Sequence, residues 1–237
     1  MSANLLHPNK NESISTGLPL SELILAKLLE RIYDGRLAQG APINEAIIAT
    51  EFGVSRGPVR EAVRRLQGLQ LVTRSPYLKA KVVVLTKEGV QELFEIRMAL
   101  EGVACRLAAE RMSKKEIVKL IDELELSQQQ SLEKKQSSQK TFKTFDFHER
   151  IVRGCQNDRI IDTLCGDLYH LLRMYRYQSG SIPERKKQAY AEHWQIARVM
   201  LARDGDLAES LMRSHISRAS QHLLDQVVLD STPTRVT

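Results

Sequence analysis

From Pro19 to Val84 the apolar positions recur first with helical spacing and then with the alternation of a ribbon. From Thr86 onward the spacing is helical throughout. Leu20, Leu23, Ile24, Ala26, Leu28 and Ile32 predict a first helix over Pro19 to Gly35, where glycine stops it. Ile43, Ile47, Ile48 and Phe52 fall on one face of a second, short helix from Ile43 to Phe52, which Gly53 ends by entering a left-handed turn. Ser55 is placed to cap a third helix. Pro58 is tolerated in its first turn, and Val59, Ala62, Val63, Leu66 and Leu69 form its buried stripe. A two-stranded ribbon follows, with a polar run from Arg74 to Lys79 at its tip and Lys81 to Val84 as the return strand. Helix, tight turn, helix, hairpin is the order of a winged helix-turn-helix.

Beyond Thr86 no segment reads convincingly as a strand. Thr86 caps a long helix to about Arg111, with Val90, Leu93, Phe94, Arg97, Leu100 and Ala104 along one side. Ser113 and Glu116 form a capping box that opens another helix through Ile117, Leu120, Ile121 and Leu124. The polar, lysine-rich stretch from Gln128 to Gln139 is either an extension of that helix or a loose link. Helices are predicted at roughly 141–155, 158–178, 183–203 and 206–229, with joints at Gln156-Asn157, Ser179-Gly180 and Asp204-Gly205. Repeated helices with short joints indicate an antiparallel bundle. The expected fold is therefore mostly α, an N-terminal winged helix-turn-helix (19–86) followed by an all-α bundle (87–229). A disordered lead-in (1–18) and a tail (230–237) flank them.

Charge separates these parts. Residues 1–86 hold 11 basic and 7 acidic side chains, against 24 and 22 in the rest of the 237-residue chain, so the basic excess concentrates in the first part. Between Ser55 and Lys81 the basic residues Arg56, Arg60, Arg64, Arg65, Arg74, Lys79 and Lys81 face a single acid, Glu61. Basic runs on helices are usually only solvated faces. Here Ser55, Arg56 and Arg60 occupy the first turns of the second helix of the motif, the end that enters a DNA major groove. No apolar run approaches a membrane-spanning length and no secretory h-region opens the chain. Three cysteines, Cys105, Cys155 and Cys165, fit core packing in a reducing cytosol, so a cytoplasmic location is expected.

The stretch Phe52-Gly53-Val54-Ser55-Arg56-Gly57-Pro58-Val59-Arg60-Glu61-Ala62 with Leu66, preceded by Ile32, Gly35, Gly40 and Glu45, resembles the DNA-binding domain of the GntR family of bacterial transcription regulators. The resemblance implies a DNA-binding surface formed by Ser55, Arg56, Gly57, Pro58, Arg60, Arg64, Arg74 and Lys79. It departs at the wing tip, where the family carries glycines and this chain has Tyr77, Leu78 and Lys79. A tip with side chains cannot lie as close to the DNA backbone. One recognition helix reads few base pairs, so a homodimer on a pseudo-palindromic double-stranded operator is expected.

The second half resembles the effector-binding domain of the FadR subfamily, known as FCD. The resemblance rests on Glu95-Ile96-Arg97, Leu100-Glu101, Phe147-His148, Asn157, Glu192-His193, Asp206 and His215. Three isolated histidines are more often packed or surface residues than ligands. In FCD domains, however, the positions of His148, His193 and His215 hold zinc or another divalent metal ion, together with an aspartate one helical turn before the first histidine. That position is Thr144 here. Asp146, only two residues from His148, would point about 200° away on a helix. Three neutral histidines leave the ion's charge uncompensated, which favours an anionic ligand in the position left open. The resemblance places Arg97 where an arginine receives an effector carboxylate, a task suited to a planar guanidinium. The bland alternative is a surface ion pair with Glu101. Thr144, Arg150 and Arg173 complete the expected effector site, and Arg176 faces the same general core.

The resulting expectation is a transcription repressor, not an enzyme, whose operator affinity responds to a small organic-acid, sugar-acid or amino-acid effector. A zinc hydrolase built on the three histidines lacks a general base placed by a motif such as HExxH. An architectural DNA binder with no effector would predict a bundle without a polar cavity.

Overall fold

The computed structural model describes residues 18–75, 78–84, 86–133, 145–179 and 183–231. The expected lead-in up to residue 17, the tail from 232 and position 144 lie outside these residues. Helix α1 (Leu20–Tyr33), α2 (Glu45–Phe52) and α3 (Arg56–Gly68) precede a hairpin of β1 (Val72–Thr73) and β2 (Lys81–Val82), paired antiparallel with Val72 opposite Val82. Ile24, Leu28, Ile32, Val59, Ala62, Val63, Leu66, Leu71 and Val82 close the core beneath them.

Two local expectations are corrected. The second helix begins at Glu45 rather than Ile43, because the Asn44 side chain accepts the N–H groups of Ala46 and Ile47 and so caps it there. The residues before it join the ribbon instead: Ile43 N–H donates to Ala80 and Val82 N–H donates to Ala41. The helical phase is thus set by Ile48 and Ala49, which are buried, and Ile47 turns outward with 63% of its surface exposed. Ser55 holds the N-cap position of α3 in extended geometry, yet its hydroxyl makes no capping bond. The third residue of that helix is Pro58, which has no N–H to give.

Helix α4 (Lys87–Arg111) is capped by Thr86, which accepts from Gly89 N–H. The capping box is reciprocal: Ser113 N–H donates to Glu116 and Glu116 N–H to the Ser113 hydroxyl. Helix α5 (Lys114–Glu133) continues through 128–133, so that part of the polar stretch is helical. Next come α6 (Phe147–Gly154), α7 (Asp158–Ile161), a π-helical turn (Asp162–Asp167), α8 (Tyr169–Ser179), α9 (Pro183–Leu201) and α10 (Gly205–Ser231). The single helix expected over 158–178 is thus broken by the π turn, with Leu168 N–H reaching Thr163 across five residues. The most extensive packing in the bundle is between α4 and α10, with α9 against α4, α5 and α10, and α6 across α4. The two halves of the chain also touch: Tyr33 on α1 shares a 2.5 Å hydrogen bond with His170 Nδ1, and the Arg173 guanidinium lies over the Tyr33 ring. Among the described residues no helix is long and apolar enough to cross a membrane.

Candidate DNA-binding surface and candidate metal centre

Helix α3 presents Arg56, Gly57, Arg60 and Arg64 to solvent, with Ser55 at its start, while Val59, Ala62, Val63 and Leu66 are buried beneath. Arg74 and Lys79 lie exposed on the ribbon beside it. The basic groups are not equally free. Arg64 pairs with Glu61 at 3.1 Å, and Arg65 with Glu22 on α1. Arg60 and Arg74 share one carboxylate, that of Glu45. Arg56 has no ion pair among the described residues, so it is the basic side chain of the first turn most available to a phosphate or base edge. Tyr77, at the expected wing tip, lies outside the described residues. Leu78 and Lys79 are exposed.

In the bundle, α6, α9 and α10 bring His148, His193 and His215 together, with one ligand-capable nitrogen of each within 4.8 Å of the others. His215 Nε2 lies 3.2 Å from His148 Nε2 and 3.3 Å from His193 Nε2. His148 and His215 are buried, and the His193 ring stacks on Phe147 with centroids 4.2 Å apart. Behind this cluster stand two carboxylates. Glu101 on α4 meets His148 Nδ1 at 2.6 Å, and Glu192 on α9 meets His215 Nδ1. A carboxylate oxygen only accepts, so both Nδ1 atoms donate and both Nε2 atoms carry lone pairs when the rings are neutral. Two bare lone pairs 3.2 Å apart repel unless a cation lies among them. This donor set therefore fits a divalent metal ion such as zinc, with each imidazole oriented by a carboxylate behind it.

The charges behind the histidines are set by burial and pairing. Burial is the main cause of the low His215 pKa, about 4. His148 and Arg185 act in the same direction, and the Glu192 hydrogen bond only partly opposes them. His215 is accordingly neutral near pH 7, as a ligand must be. For Glu192 burial opposes the charged form, but the hydrogen bond to His215 and the attraction of Arg185 and Arg218 outweigh it and hold the carboxyl at about 2. Arg185, also buried, donates to Glu192 at 3.1 Å and Arg218 at 2.6 Å. The Arg185 Nε is a buried polar atom with no hydrogen-bond partner.

The structure brings Arg97 to this cluster, but in its second layer. Its guanidinium is 1% exposed and donates to Glu101 at 2.7 Å, so the i,i+4 pairing with Glu101 exists, in the core rather than on the surface. Arg150 reaches away from the cluster to Glu123 on α5 at 2.8 Å. Arg173 faces Tyr33 and the Tyr169 hydroxyl. The structure therefore does not bring these two side chains to the cluster. Position 176 belongs to α8, with its side chain outside the described set. Asp146 does not continue a helix into His148. It is the N-cap of α6 and accepts from Glu149 N–H. A small cavity beside His148 is lined by Glu101, Glu149, Val152, Leu164, Cys165, Tyr169 and Leu172. Its volume, about 10 Å³, is room for about one water.

Glu101, Glu192, Arg185 and Arg218 went unassigned in the sequence reading. For Glu101 the signal was a charged pair, Arg97 and Glu101, standing inside an otherwise apolar stripe. Glu192 gave a misleading one, since it precedes His193 in sequence but orients His215 instead.

Residues 20–77 match the family described as bacterial regulatory proteins, gntR family, and residues 92–218 match the FCD domain. The chain belongs to the GntR family. It is a DNA-binding transcriptional regulator with an FCD effector-binding domain, and its relatives are regulators rather than enzymes. One relative is the probable D-xylose utilization operon transcriptional repressor of Paenarthrobacter nicotinovorans, 29% identical over 80% of this chain and 82% of that protein. Another is the gluconate operon transcriptional repressor of Bacillus licheniformis, 30% identical over 68% of this chain and 64% of that protein. Among solved structures, a GntR regulator from Rhodococcus sp. RHA1 superposes with a TM-score of 0.71 at 20% identity. That match covers 86% of this chain and 97% of the other, and supports the fold.

Proposed function

We propose that this regulator is a cytoplasmic, homodimeric repressor of the FadR subfamily. Its operator affinity is controlled by a small carboxylate bound beside a divalent ion that His148, His193 and His215 hold. The observation that carries the ligand half of this reading is the facing pair of Nε2 atoms, which are left as acceptors when each neutral ring gives its Nδ1 proton to the carboxylate behind it. A bound divalent ion would supply positive charge and open coordination positions for a carboxylate oxygen. Glu101 and Glu192 orient the rings, and Arg97, Arg185 and Arg218 offset the charge of those two acids. Three guanidiniums against those two carboxylates leave the layer behind the histidines with an excess of positive charge, which favours an anionic effector. Two of the named relatives are regulators of gluconate and D-xylose operons, so sugar acids head the panel of organic acids to be tried.

The cavity beside His148 has to open to admit such a molecule. One wall of it is formed by the π turn and the start of α8, the least regular backbone of the bundle. Arg97 contributes through Glu101 rather than by receiving the effector directly. Thr144 stands, by resemblance, where the family supplies an aspartate. Thr144→Asp is therefore expected to tighten zinc binding and weaken its dependence on effector, because metal and anion otherwise raise each other's affinity by one shared factor. Zinc titration of both proteins with and without a sugar acid identified by thermal shift measures this. Effector binding that survives exhaustive chelation unchanged would remove the metal from the site.

On the DNA side, the Ser55 hydroxyl makes no capping bond and stays available to a phosphate. Arg56 and Arg60 are assigned to base edges or adjacent phosphates of the major groove. Arg56→Ala is expected to cost about 1–3 kcal/mol of specific binding. Unchanged operator affinity at matched salt in both the Arg56→Ala and the Arg60→Ala protein would reject the assignment. A sedimenting monomer at micromolar concentration, with one copy per operator, would reject the dimer.

A further inference from the structure

Glu45 is the first residue of α2, and its side chain is 15% exposed. Its two oxygens go to different elements: one meets Arg60 Nε of α3 at 3.6 Å, the other meets Arg74, where β1 runs into the ribbon's tip. The backbone that carries it is pinned to the ribbon as well, since Gly40 N–H donates to Val82, Val82 N–H to Ala41 and Ile43 N–H to Ala80. Asn44 then caps α2 immediately before it. The carboxylate is thus held by a rigid frame, whereas Arg60 and Arg74 have exposed side chains (67% and 38%) on long, rotatable stems.

A carboxylate on a surface that must meet phosphates is unfavourable by charge alone. Its repulsion of the DNA backbone weakens binding to any sequence. We propose that Glu45 is a positioning residue for operator recognition, clipping Arg60 of the recognition helix and Arg74 of the wing at one fixed spacing. Each guanidinium carries five N–H donors and gives Glu45 few of them, so most remain for DNA. Preorganised arginines lose less side-chain freedom on reaching the matching phosphates or bases, and they reach mismatched ones no better. Glu45 therefore trades general affinity for discrimination. The inference rests on the reading that Arg60 and Arg74 face DNA.

The two effects of Glu45 have opposite signs, which makes them separable. The probe is a duplex selected by the wild-type protein from a random pool, compared with a scrambled duplex of the same composition across a salt series. Glu45→Gln is expected to bind the scrambled duplex several-fold more tightly with a steeper salt slope. Its ratio of selected to scrambled affinity is expected to fall by about tenfold. In an Arg60→Ala, Arg74→Ala background the same change is expected to leave the ratio where it was, since the residue acts through those arginines. If Glu45→Gln does not fold, Glu45→Asp is read in its place. It keeps the charge but lacks the reach for both arginines, and it is expected to lower the ratio without tightening scrambled binding. A ratio unchanged in the variant that folds, or lowered equally without the arginines, overturns the proposal. If Arg60→Ala and Arg74→Ala each leave selected-duplex affinity untouched, the reading that they face DNA has failed, and the clip fails with it.

Discussion

At the scale of single residues, the bundle centre depends on which nitrogen of each imidazole carries the proton. Glu101 and Glu192 make that choice for His148 and His215, and both acids are in turn held by arginines. Removing the charge of Glu101 while keeping its shape tests this chain of support. Glu101→Gln is expected to weaken zinc binding by about 10–100-fold, the usual effect of losing a carboxylate behind a ligating histidine. Competition titration with a chromophoric chelator reads it directly. The change also leaves Arg97, 1% exposed, without its acid, so a lower melting temperature is expected in the metal-free protein as well. Equal zinc affinity in wild type and variant would show that Glu101 only neutralises Arg97.

At the scale of elements, α2 shows how few residues position the recognition helix. Asn44 starts it and Gly53 ends it with φ +64°, and Val54 N–H returns to Ala49 to close the turn. A Cβ on Gly53 would meet nothing within 4 Å, so any cost of Gly53→Ala is backbone strain alone. That cost is about 1–2 kcal/mol for an L-residue in the left-handed region. Denaturant melts are expected to show this loss with an unchanged m-value, and a loss near zero would mean that the turn relaxes. The π turn is the corresponding irregular element of the bundle. It supplies Leu164 and Cys165 to the cavity beside His148, and Tyr169 and Leu172 follow it on α8.

At the scale of the molecule, one helix, α8, joins the two domains. Tyr169 and Leu172 face the cavity, while His170 and Arg173 on the same helix meet Tyr33 of the DNA-binding domain. His170 has its pKa lowered, first by burial and then by Arg173 and Arg65. The groups around it are Tyr33 from α1, Arg65 from α3, and Tyr169 and Arg173 from α8. In the unfolded chain the imidazole takes up a proton near its ordinary 6.5, while the folded protein resists it. The stabilising contribution is therefore complete above 6.5 and is lost as the pH falls below it toward the folded value. The melting temperature of the full chain is expected to fall between about pH 7 and about pH 5, and His170→Gln is expected to shallow that slope. Identical pH profiles for the two proteins would exclude a role for His170 in it.

Local patterns determined much of this molecule by themselves. Helical spacing and turn residues are short-range properties, so the order of elements, Gly53 as a helix stop and the capping box at Ser113 and Glu116 could be read along the chain. The resemblance at Gly53 to Ala62 likewise pointed to the family. The three histidines could be nominated, but not their state, because a proton on Nδ1 depends on acids 47 and 23 residues away. Tertiary structure alone decided that Ile47 turns outward and that Ser55 caps nothing. It also decided that Arg97 spends its charge on a buried neighbour, that Arg150 turns to Glu123 and that Arg173 turns to Tyr33 and Tyr169. Each of these turns on where a side chain finds its partner in space. Sequence spacing predicts faces of helices, whereas partners of charged groups are chosen by whatever the packed elements bring within a few ångströms.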